Sequence, residues 1–432
     1  MSFFRVLKER SYLISIKFSY FRTVNPYLKK YGFQSPKIET IPYDNLGIAV
    51  VIPCHNEPDI LTTLASLKSC EKPQADYLII VVVNQSEVTN GSVSKRNLET
   101  ISEIERWKVS NPDFKLEIIK ENSLPKKHAG VGLARKIGMD EAVNLFHQID
   151  KDGIIVALDA DCEVEPNYLV EIENHFINHP KTPGCSIRYV HPIDSENESI
   201  NLGIIQYELH LRYYNQALRM CSFPYAFHTV GSSMAVRSSA YQKQGGMNKR
   251  KAGEDFYFLQ KIIELGGFTE LNSTCVIPSP RISDRVPFGT GRAIGEFLEQ
   301  GSTVFDTYNF ESFIELKEIS KWTEKLFRGE KITHNNPSVN EFLLSIDFEN
   351  KVEEIRNNTS SFINFEKRFF TFFNAFIVLK FTHFMRDKEF ANQSIEQESK
   401  NLLAHCYQIE CNNKSIKKLL ELYRNIEANH EY

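Results

Sequence analysis

Two nearly uninterrupted apolar stretches, separated by a helical pattern, constrain the fold of this chain more than any other feature. They are LGIAVVIP at 46–53 and YLIIVVVN at 77–84. Runs of valine and isoleucine without polar alternation are typical of strands buried on both faces, which occur in parallel sheets covered by helices. The sequence therefore predicts an α/β fold with a mostly parallel sheet.

The alternation of strands and helices continues to about residue 190, and the pattern then becomes mainly helical. Further strands are predicted at 115–119, 154–159 and 184–190. Helices are predicted at 58–69, 96–109, 130–149, 166–179 and 199–221. We expect three parts: an N-terminal arm at 1–44, a working domain at 45–300 and a helical C-terminal region at 301–432.

The composition excludes several classes of protein. The 432 residues are 42% hydrophobic and 25% charged, as in an ordinary globular chain, and the net charge of −4 gives no reason to expect nucleic acid. No run of about 18 uncharged apolar residues occurs, so no transmembrane helix is expected. The eight cysteines include no CxxC pair, which indicates reduced thiols in a cytoplasmic protein.

The first 30 residues combine seven basic side chains and several aromatic ones with the single acid Glu9. Basic residues interleaved with aromatic ones suit a surface of anionic lipid. This pattern predicts a peripheral contact with the inner face of a membrane. The alternative is an arm that packs on its own domain and keeps its charges in water.

Polar clusters follow the predicted strands where ligands bind in α/β sheets, at the carboxyl ends. The first strand runs into Pro53-Cys54-His55-Asn56-Glu57, and the second ends at Asn84-Gln85-Ser86-Glu87. Neither GxGxxG nor GxxxxGK[ST] follows the first strand. We therefore expect the Asn and Glu side chains at this edge to contact a base or ribose. Backbone amides of a glycine-rich loop, which would hold phosphate, are not expected here.

Paired acids end the strand predicted at 154–159, in the sequence IIVALDADCEVEP. On an extended segment, Asp159 and Asp161 would point the same way and could share one cation. Carboxylate oxygens suit Mg²⁺ or Mn²⁺, which usually complete their shell with substrate phosphates. The alternative is a strand-end acid that caps the next helix.

Two further motifs are weak when taken singly. The segment PKKHAGVGLARKIGMDEAV at 125–143 places Lys127 and Arg135 around a helix start, which favours an anion or is simply a solvated basic face. In GED, Glu254 and Asp255 open a helix, where acids are ordinary partners of the helix dipole.

Taken in order, these motifs resemble the family 2 glycosyltransferases of the GT-A type, whose Rossmann-like sheet is flanked by helices. The resemblance covers about residues 46–290 and rests on VVIPCHNE, the basic helix, DAD, the Gly-Ser-Ser turn at 231–233 and GED.

The resemblance implies a role for each matching residue. Pro53, Asn56, Glu57, Asn84, Lys127, Arg135 and Asp159 would contact the nucleotide-sugar, with Asn84 where relatives carry an acid. Asp159 and Asp161 would hold Mn²⁺ or Mg²⁺. Asp255 would be the catalytic base, with Glu254 beside it. No histidine follows Asp255 until His334, so either Asp284 or water would complete the metal shell, or Asp161 and the diphosphate alone would hold the metal.

These expectations describe an inverting glycosyltransferase that uses a nucleoside-diphosphate sugar, most readily a UDP-sugar, and an acceptor that is a glycan or a lipid-linked hydroxyl. Phe223, Tyr225, His228 and Arg212 are candidates for lining the acceptor pocket. Arg281, Arg285 and Arg292 are candidates for a loop that closes over diphosphate, and the alternative for this segment is a surface turn. Two alternatives stay open: a sugar-phosphate nucleotidyltransferase, and a non-catalytic scaffold that binds nucleotide.

Overall fold

The computed structural model describes residues 25–38, 44–283 and 289–429. Its first strand, β1, is paired with a neighbouring strand on each side. The strands are β1 (Leu46–Cys54), β2 (Asp76–Ser86), β3 (Leu116–Leu124), β4 (Ile154–Ala157), β5 (Cys162–Val164), β6 (Gly184–Tyr189), β7 (Met234–Arg237), β8 (Thr269–Pro278), β9 (Asp306–Thr307) and β10 (Gln393–Ser394). The helices of the first half are α1 (Pro26–Tyr31), α2 (Ile60–Lys68), α3 (Gly91–Ser110), α4 (Val131–Gln148), α5 (Tyr168–Asn178), α6 (Glu198–Met220), α7 (Ser238–Lys243) and α8 (Glu254–Ile263). Those that follow are α9 (Thr290–Glu299), α10 (Phe310–Ser320), α11 (Thr323–Phe327), α12 (Pro337–Ser345), α13 (Phe348–Asn357), α14 (Phe362–Phe372), α15 (Ala375–Lys388), α16 (Ile395–Tyr407) and α17 (Ile416–Ala428).

The main sheet has eight strands in the order β3-β2-β1-β4-β7-β6-β8-β5. The pairs β1/β2, β2/β3, β1/β4 and β6/β8 are parallel, and β5 runs antiparallel to β8. The predicted α/β class, with a mostly parallel sheet flanked by helices and a helical C-terminal region, is confirmed.

The chain divides into two compact units, and the division falls inside β7. The first unit takes in the chain up to Leu61, Lys72–Ala160 and Ala235–Glu254. The second takes in Thr62–Glu71, Asp161–Met234 and the chain from Asp255 onwards. The predicted boundaries at residues 45 and 300 stay predictions.

In the first unit, β1 is buried throughout except at Gly47. Val51 lies opposite Ile80 of β2 on one side and Ala157 of β4 on the other. Helix α4 crosses this strand closely, because Gly138 has no side chain where a Cβ would meet Val51 and Val82. Burial on both faces explains why the strand sequence is apolar without alternation.

Part of the predicted N-terminal arm belongs to the first unit. Asn25 caps α1, since its Oδ1 accepts hydrogen bonds from the backbone of Tyr27 at 2.9 Å and of Leu28 at 3.2 Å. The hydroxyls of Tyr27 and Tyr241 donate to Asp140 at 2.7 and 2.8 Å. Residues 25–31 are therefore held on α4, whereas the basic and aromatic residues at 1–24 lie outside the described residues.

In the second unit, helix α6 carries a buried cluster of charges. Arg212 is 1% exposed and pairs with Glu208 on the same helix and with Glu427 on α17. Arg424, also on α17, donates to Glu208 at 2.7 Å. Burial alone would raise the pKa of Glu427, yet Arg212 and His228 hold it at about 2. The carboxylates stay ionised because each has a cationic partner.

The C-terminal helices of the second unit pack largely through phenylalanines. The rings of Phe369 and Phe373 are stacked with centroids 5.9 Å apart, and Phe348 meets Phe373 edge-on at 6.2 Å. Such pairs gain energy beyond the area that they bury. Among the described helices, none has the length and apolar character needed to cross a membrane.

We predict that Gly138→Ala lowers the free energy of unfolding by about 1–3 kcal/mol, because the added methyl group overpacks the contact of α4 with Val51. Urea unfolding followed by circular dichroism measures the change.

Gly91→Ala is the matched control, because a Cβ at Gly91 in α3 meets no atom within 4 Å. Removing this glycine should leave stability unchanged or raise it by up to about 1 kcal/mol. Equal destabilisation by both substitutions would contradict the packing argument.

Candidate functional site

The ends of β1 and β2 are joined by one asparagine of α3. The Nδ2 group of Asn97 donates to the carbonyl of Asn84 at 3.2 Å, and its Oδ1 accepts from the backbone of Asn56 at 2.9 Å. His55 Nδ1 lies 2.8 Å from the same carbonyl of Asn84. Asn56 has a φ of 49°, a left-handed conformation that asparagine tolerates better than most residues. Thus Asn97 fixes the turn after β1. Pro53 is the next-to-last residue of this buried strand.

Glu57 is fully buried in this turn. Its Oε1 accepts a hydrogen bond from the backbone of Asp59 at 3.1 Å, and its carbonyl accepts from Arg96 at 2.9 Å and from Thr100 at 3.2 Å. These bonds hold the start of α2. The contact of Glu57 with a nucleotide stays a prediction.

Asn84 differs from its neighbours because its side chain makes no hydrogen bond within the described part of the chain. The residue is only 4% exposed, and its printed partners contact the backbone carbonyl alone. A buried amide that is not paired internally leaves one acceptor and two donors for a ligand.

The basic segment before α4 places its residues in different surroundings. Lys126 and Lys127 are exposed on the turn before the helix. Arg135 is 3% exposed and forms ion pairs with Glu254 and with Asp159. The guanidinium therefore brings together residues from two motifs that are far apart in the sequence.

The DAD motif does not continue the strand. Strand β4 ends at Ala157, and Ala160 and Asp161 form a turn before β5. The predicted extended segment therefore ends before Asp161, and the expectation that Asp159 and Asp161 share one cation stays a prediction. Asp159 is 37% exposed and accepts from Arg135.

In the second unit, Asp161 is 27% exposed and forms an ion pair with Arg281 at 3.2 Å. Its backbone carbonyl accepts from Ser279 at 3.1 Å, so the residues after β8 are held against the start of β5. Arg292, also predicted for a diphosphate-binding loop, pairs instead with Glu296 at 2.7 Å on α9. Asp284 and Arg285 lie outside the described residues.

The donor set for a divalent metal is small. Among the described residues, no group of three or more histidines, cysteines or carboxylates is placed to hold a metal ion. Asp161 nevertheless fits a metal of the Mg²⁺ type, which takes one or two carboxylates and completes its shell with water and phosphate oxygens.

Asp255 is the second residue of α8 and is half-buried. Its Oδ1 accepts from the backbone N–H of Phe256 at 2.7 Å, as expected for an acid at a helix start. Burial, followed by the charge of Asp255, raises the pKa of Tyr207 to about 12. The Asp255 carboxylate therefore lies within electrostatic reach of the phenol.

The suggested acceptor pocket was wrong for Arg212 and His228, whereas the parts suggested for Phe223 and Tyr225 stay predictions. Both side chains border a cavity of about 10 Å³ and contact Glu427. A space of this size holds about one water molecule and no sugar. No local pattern in the sequence indicated this pairing, because Glu427 is 215 residues from Arg212.

Residues 49–245 match the model described as Glycosyl transferase family 2. The matched part includes β1 to β7, Asn84, Arg135 and the DAD motif, and it ends before GED. The protein is therefore a glycosyltransferase. The matched residues form a glycosyltransferase family 2 domain.

Two solved structures show a weaker likeness. TarS 1–349 of S. aureus, in complex with UDP-GlcNAc, is 13% identical, with 88% of this chain and 90% of that chain covered, at a TM-score of 0.38. The mannosyltransferase PcManGT from Pyrobaculum calidifontis, in complex with GDP-Man and Mn²⁺, is 12% identical, with 93% and 92% covered, at a TM-score of 0.36. Likenesses at this level carry nothing about the substrates of this chain. No curated protein matches the sequence.

Proposed function

We propose that this protein is an inverting, divalent-metal-dependent glycosyltransferase that moves a sugar from a UDP-sugar to a hydroxyl acceptor. The observation that carries the proposal is the pair of acids directly after β4 within the family 2 match, at the carboxyl end of parallel strands.

Asn84 supports a uracil base. Uracil presents an N–H donor between two carbonyl acceptors, and an amide can accept from the first while donating to one of the others. Guanine presents two adjacent donors, which a carboxylate satisfies better than an amide. The unpaired, 4% exposed Asn84 therefore favours UDP over GDP.

The diphosphate leaving group needs positive charge. A divalent ion, Mn²⁺ or Mg²⁺, supplies Lewis-acid stabilisation of that charge when bound. Asp161 would hold the ion, and Asp159 would bind the ribose or share the metal. Arg281, already paired with Asp161, offers a second cation for the phosphates, and Lys127 is exposed near the start of α4.

Asp255 would act as the general base that takes the proton of the acceptor hydroxyl. The backbone N–H of Phe256 and the start of α8 favour the ionised carboxylate that a base needs. The acceptor is a hydroxyl group of a glycan or of a lipid-linked molecule. Attack from the face opposite the leaving diphosphate would invert the anomeric configuration.

The two alternatives predict different results. A nucleotidyltransferase would release pyrophosphate, and a scaffold would bind nucleotide without turnover. UDP release from a UDP-sugar in the presence of cell lipid extract is expected only of the proposed enzyme.

We predict that UDP binds more tightly with Mn²⁺ than without it, and more tightly than GDP does. Asp161→Ala should abolish the Mn²⁺ enhancement, because it removes the carboxylate that is proposed to hold the ion. Isothermal titration of UDP and GDP with and without Mn²⁺ measures both effects.

Cys162→Ala is the control for this substitution, since the thiol is adjacent to Asp161 and provides no oxygen ligand. It should keep the Mn²⁺ enhancement. An Asp161→Ala protein with the full enhancement would place the metal elsewhere, and equal affinities for UDP and GDP would refute the role given to Asn84.

We predict that Asp255→Asn lowers turnover by about 10²–10⁴-fold and leaves donor affinity nearly unchanged, because the amide keeps the shape of the side chain and loses its basicity. UDP release gives the turnover, and proton NMR of the product gives its anomeric configuration.

Glu264→Gln provides the comparison, because it removes a half-buried carboxylate just beyond the end of α8 and should leave turnover unchanged. Wild-type turnover in Asp255→Asn, or a product with the configuration of the donor, would remove Asp255 from this role.

We also propose that the basic residues of the N-terminal segment bring the enzyme to an anionic membrane surface at the cytoplasmic face. Each basic residue near such a surface contributes about 1 kcal/mol, and salt weakens the attraction. The full chain should sediment with phosphatidylserine vesicles in low salt and less in high salt. A protein that begins at Asn25 keeps the cap of α1 and should sediment much less. Equal sedimentation of the two proteins would exclude this segment as the anchor.

A further inference from the structure

Arg135 joins two acids of different motifs within the first unit. One terminal nitrogen of its guanidinium donates to Glu254 of GED, and the other donates to Asp159 of DAD. The side chains of Arg135 and Glu254 are each 3% exposed, whereas that of Asp159 is 37% exposed. The Arg135–Glu254 ion pair is therefore buried, whereas Asp159, the other partner of Arg135, is the exposed end of the arrangement.

The backbone around Glu254 is fitted to this contact. A Cβ at Gly132, one helical turn before Arg135, would collide with the carbonyl of Arg250 and lie 2.9 Å from the Cβ of Glu254. Asn248 donates to the carbonyl of Glu254 at 2.8 Å. Helix α4 thus packs closely against the segment before α8, and this packing places Arg135 within ion-pair distance of Glu254.

The exposed end of this arrangement is available to a ligand. Within the described part of the chain, Arg135 is the only hydrogen-bond partner of the Asp159 carboxylate, and only through Oδ1. The orientation of Asp159 therefore depends on a single guanidinium, whose own position depends on Glu254.

We propose that Arg135 is a positioning residue for the donor, and that Glu254 acts through Arg135 and touches neither the acceptor nor the metal. This inference rests on the proposed function. Glu254 neutralises and fixes the buried guanidinium, which in turn presents Asp159 to the nucleotide. The two acids of GED then have separate tasks: Glu254 serves the donor, and Asp255, the next residue, serves the acceptor.

A double-mutant cycle on nucleotide affinity tests this dependence. In the wild-type background, Glu254→Gln should weaken the binding of UDP with Mn²⁺ about tenfold, because the guanidinium loses the negative charge of Glu254. In the Arg135→Met background, the same Glu254→Gln change should alter affinity by less than about twofold, since the residue through which it acts is gone.

Lys136→Met controls for the general effect of removing a buried cation from α4. Lys136 is 4% exposed and pairs with Asp140, so its loss should lower stability without changing UDP affinity. Because Arg135→Met leaves Glu254 buried without its cation, thermal unfolding of all variants is recorded, and Arg135→Lys with Glu254→Asp forms a second, milder cycle.

The dependence of turnover on pH separates positioning from proton transfer. With Glu254→Gln the profile of UDP release should keep the shape of the wild type, whereas Asp255→Asn should lose the limb that rises with pH. A changed shape with Glu254→Gln would overturn the proposal.

The remaining outcomes distinguish the proposal from the function on which it rests. If the wild type binds UDP and the two substitutions multiply in their effects in both cycles, Glu254 acts independently of Arg135 and the inference is wrong. If Lys136→Met weakens the binding of UDP as much as Arg135→Met does, the loss of affinity is a general effect of removing a buried cation, and the inference is also wrong. A wild type that binds no nucleotide would overturn the proposed function itself.

Discussion

A charge removed from water has to meet an opposite charge, and this requirement organises the polar interior of both units. In the first unit, Arg135 is buried with Glu254 and reaches Asp159. In the second, Arg212 is buried between Glu208 and Glu427. Removing one member of such a pair leaves an uncompensated charge, which is strongly destabilising, whereas the intact pair fixes which elements lie side by side.

The close approach of helix α4 to its neighbours is the steric counterpart of this requirement. Gly138 lets the helix lie on Val51 of β1, and Gly132 lets it lie against Arg250. Arg135 lies one helical turn after Gly132, and this close packing lets its guanidinium pair with Glu254 while both side chains stay buried. The close packing that the two glycines allow therefore determines the position of the Arg135 guanidinium as much as its charge does.

The division into units passes through both acid motifs. Ala160 is the last residue of one segment of the first unit, and Asp161 begins a segment of the second. Glu254 and Asp255 are separated in the same way. Each motif therefore has one acid in each unit, and the two neighbouring acids of GED have unlike surroundings: Glu254 is 2% exposed, whereas Asp255 is half-buried.

The strands could be predicted from the sequence because their signal is local. The stretches at 46–53 and 77–84 agree with β1 and β2 to within two residues, since apolar runs between polar ends leave little choice. The candidate acids were found by their place after strands. Their partners were not, because the contacts of Asp159 with Arg135 and of Asp161 with Arg281 follow from the turn after Ala157 and from β8, which no local pattern specifies. The buried amide of Asn84 was named from the sequence, but only the structure shows that its side chain has no hydrogen-bond partner within the described part of the chain.

The pairing of Arg212 with Glu427 has a consequence for the order in which the protein is made. The two residues are 215 positions apart, a distance that a ribosome covers in about 10–40 s at the usual rate of synthesis. Throughout that interval Arg212 has Glu208, one helical turn away, as its nearby counter-charge. The second unit cannot acquire its final arrangement of charges until α17 has been translated, so this folding step follows the synthesis of Glu427.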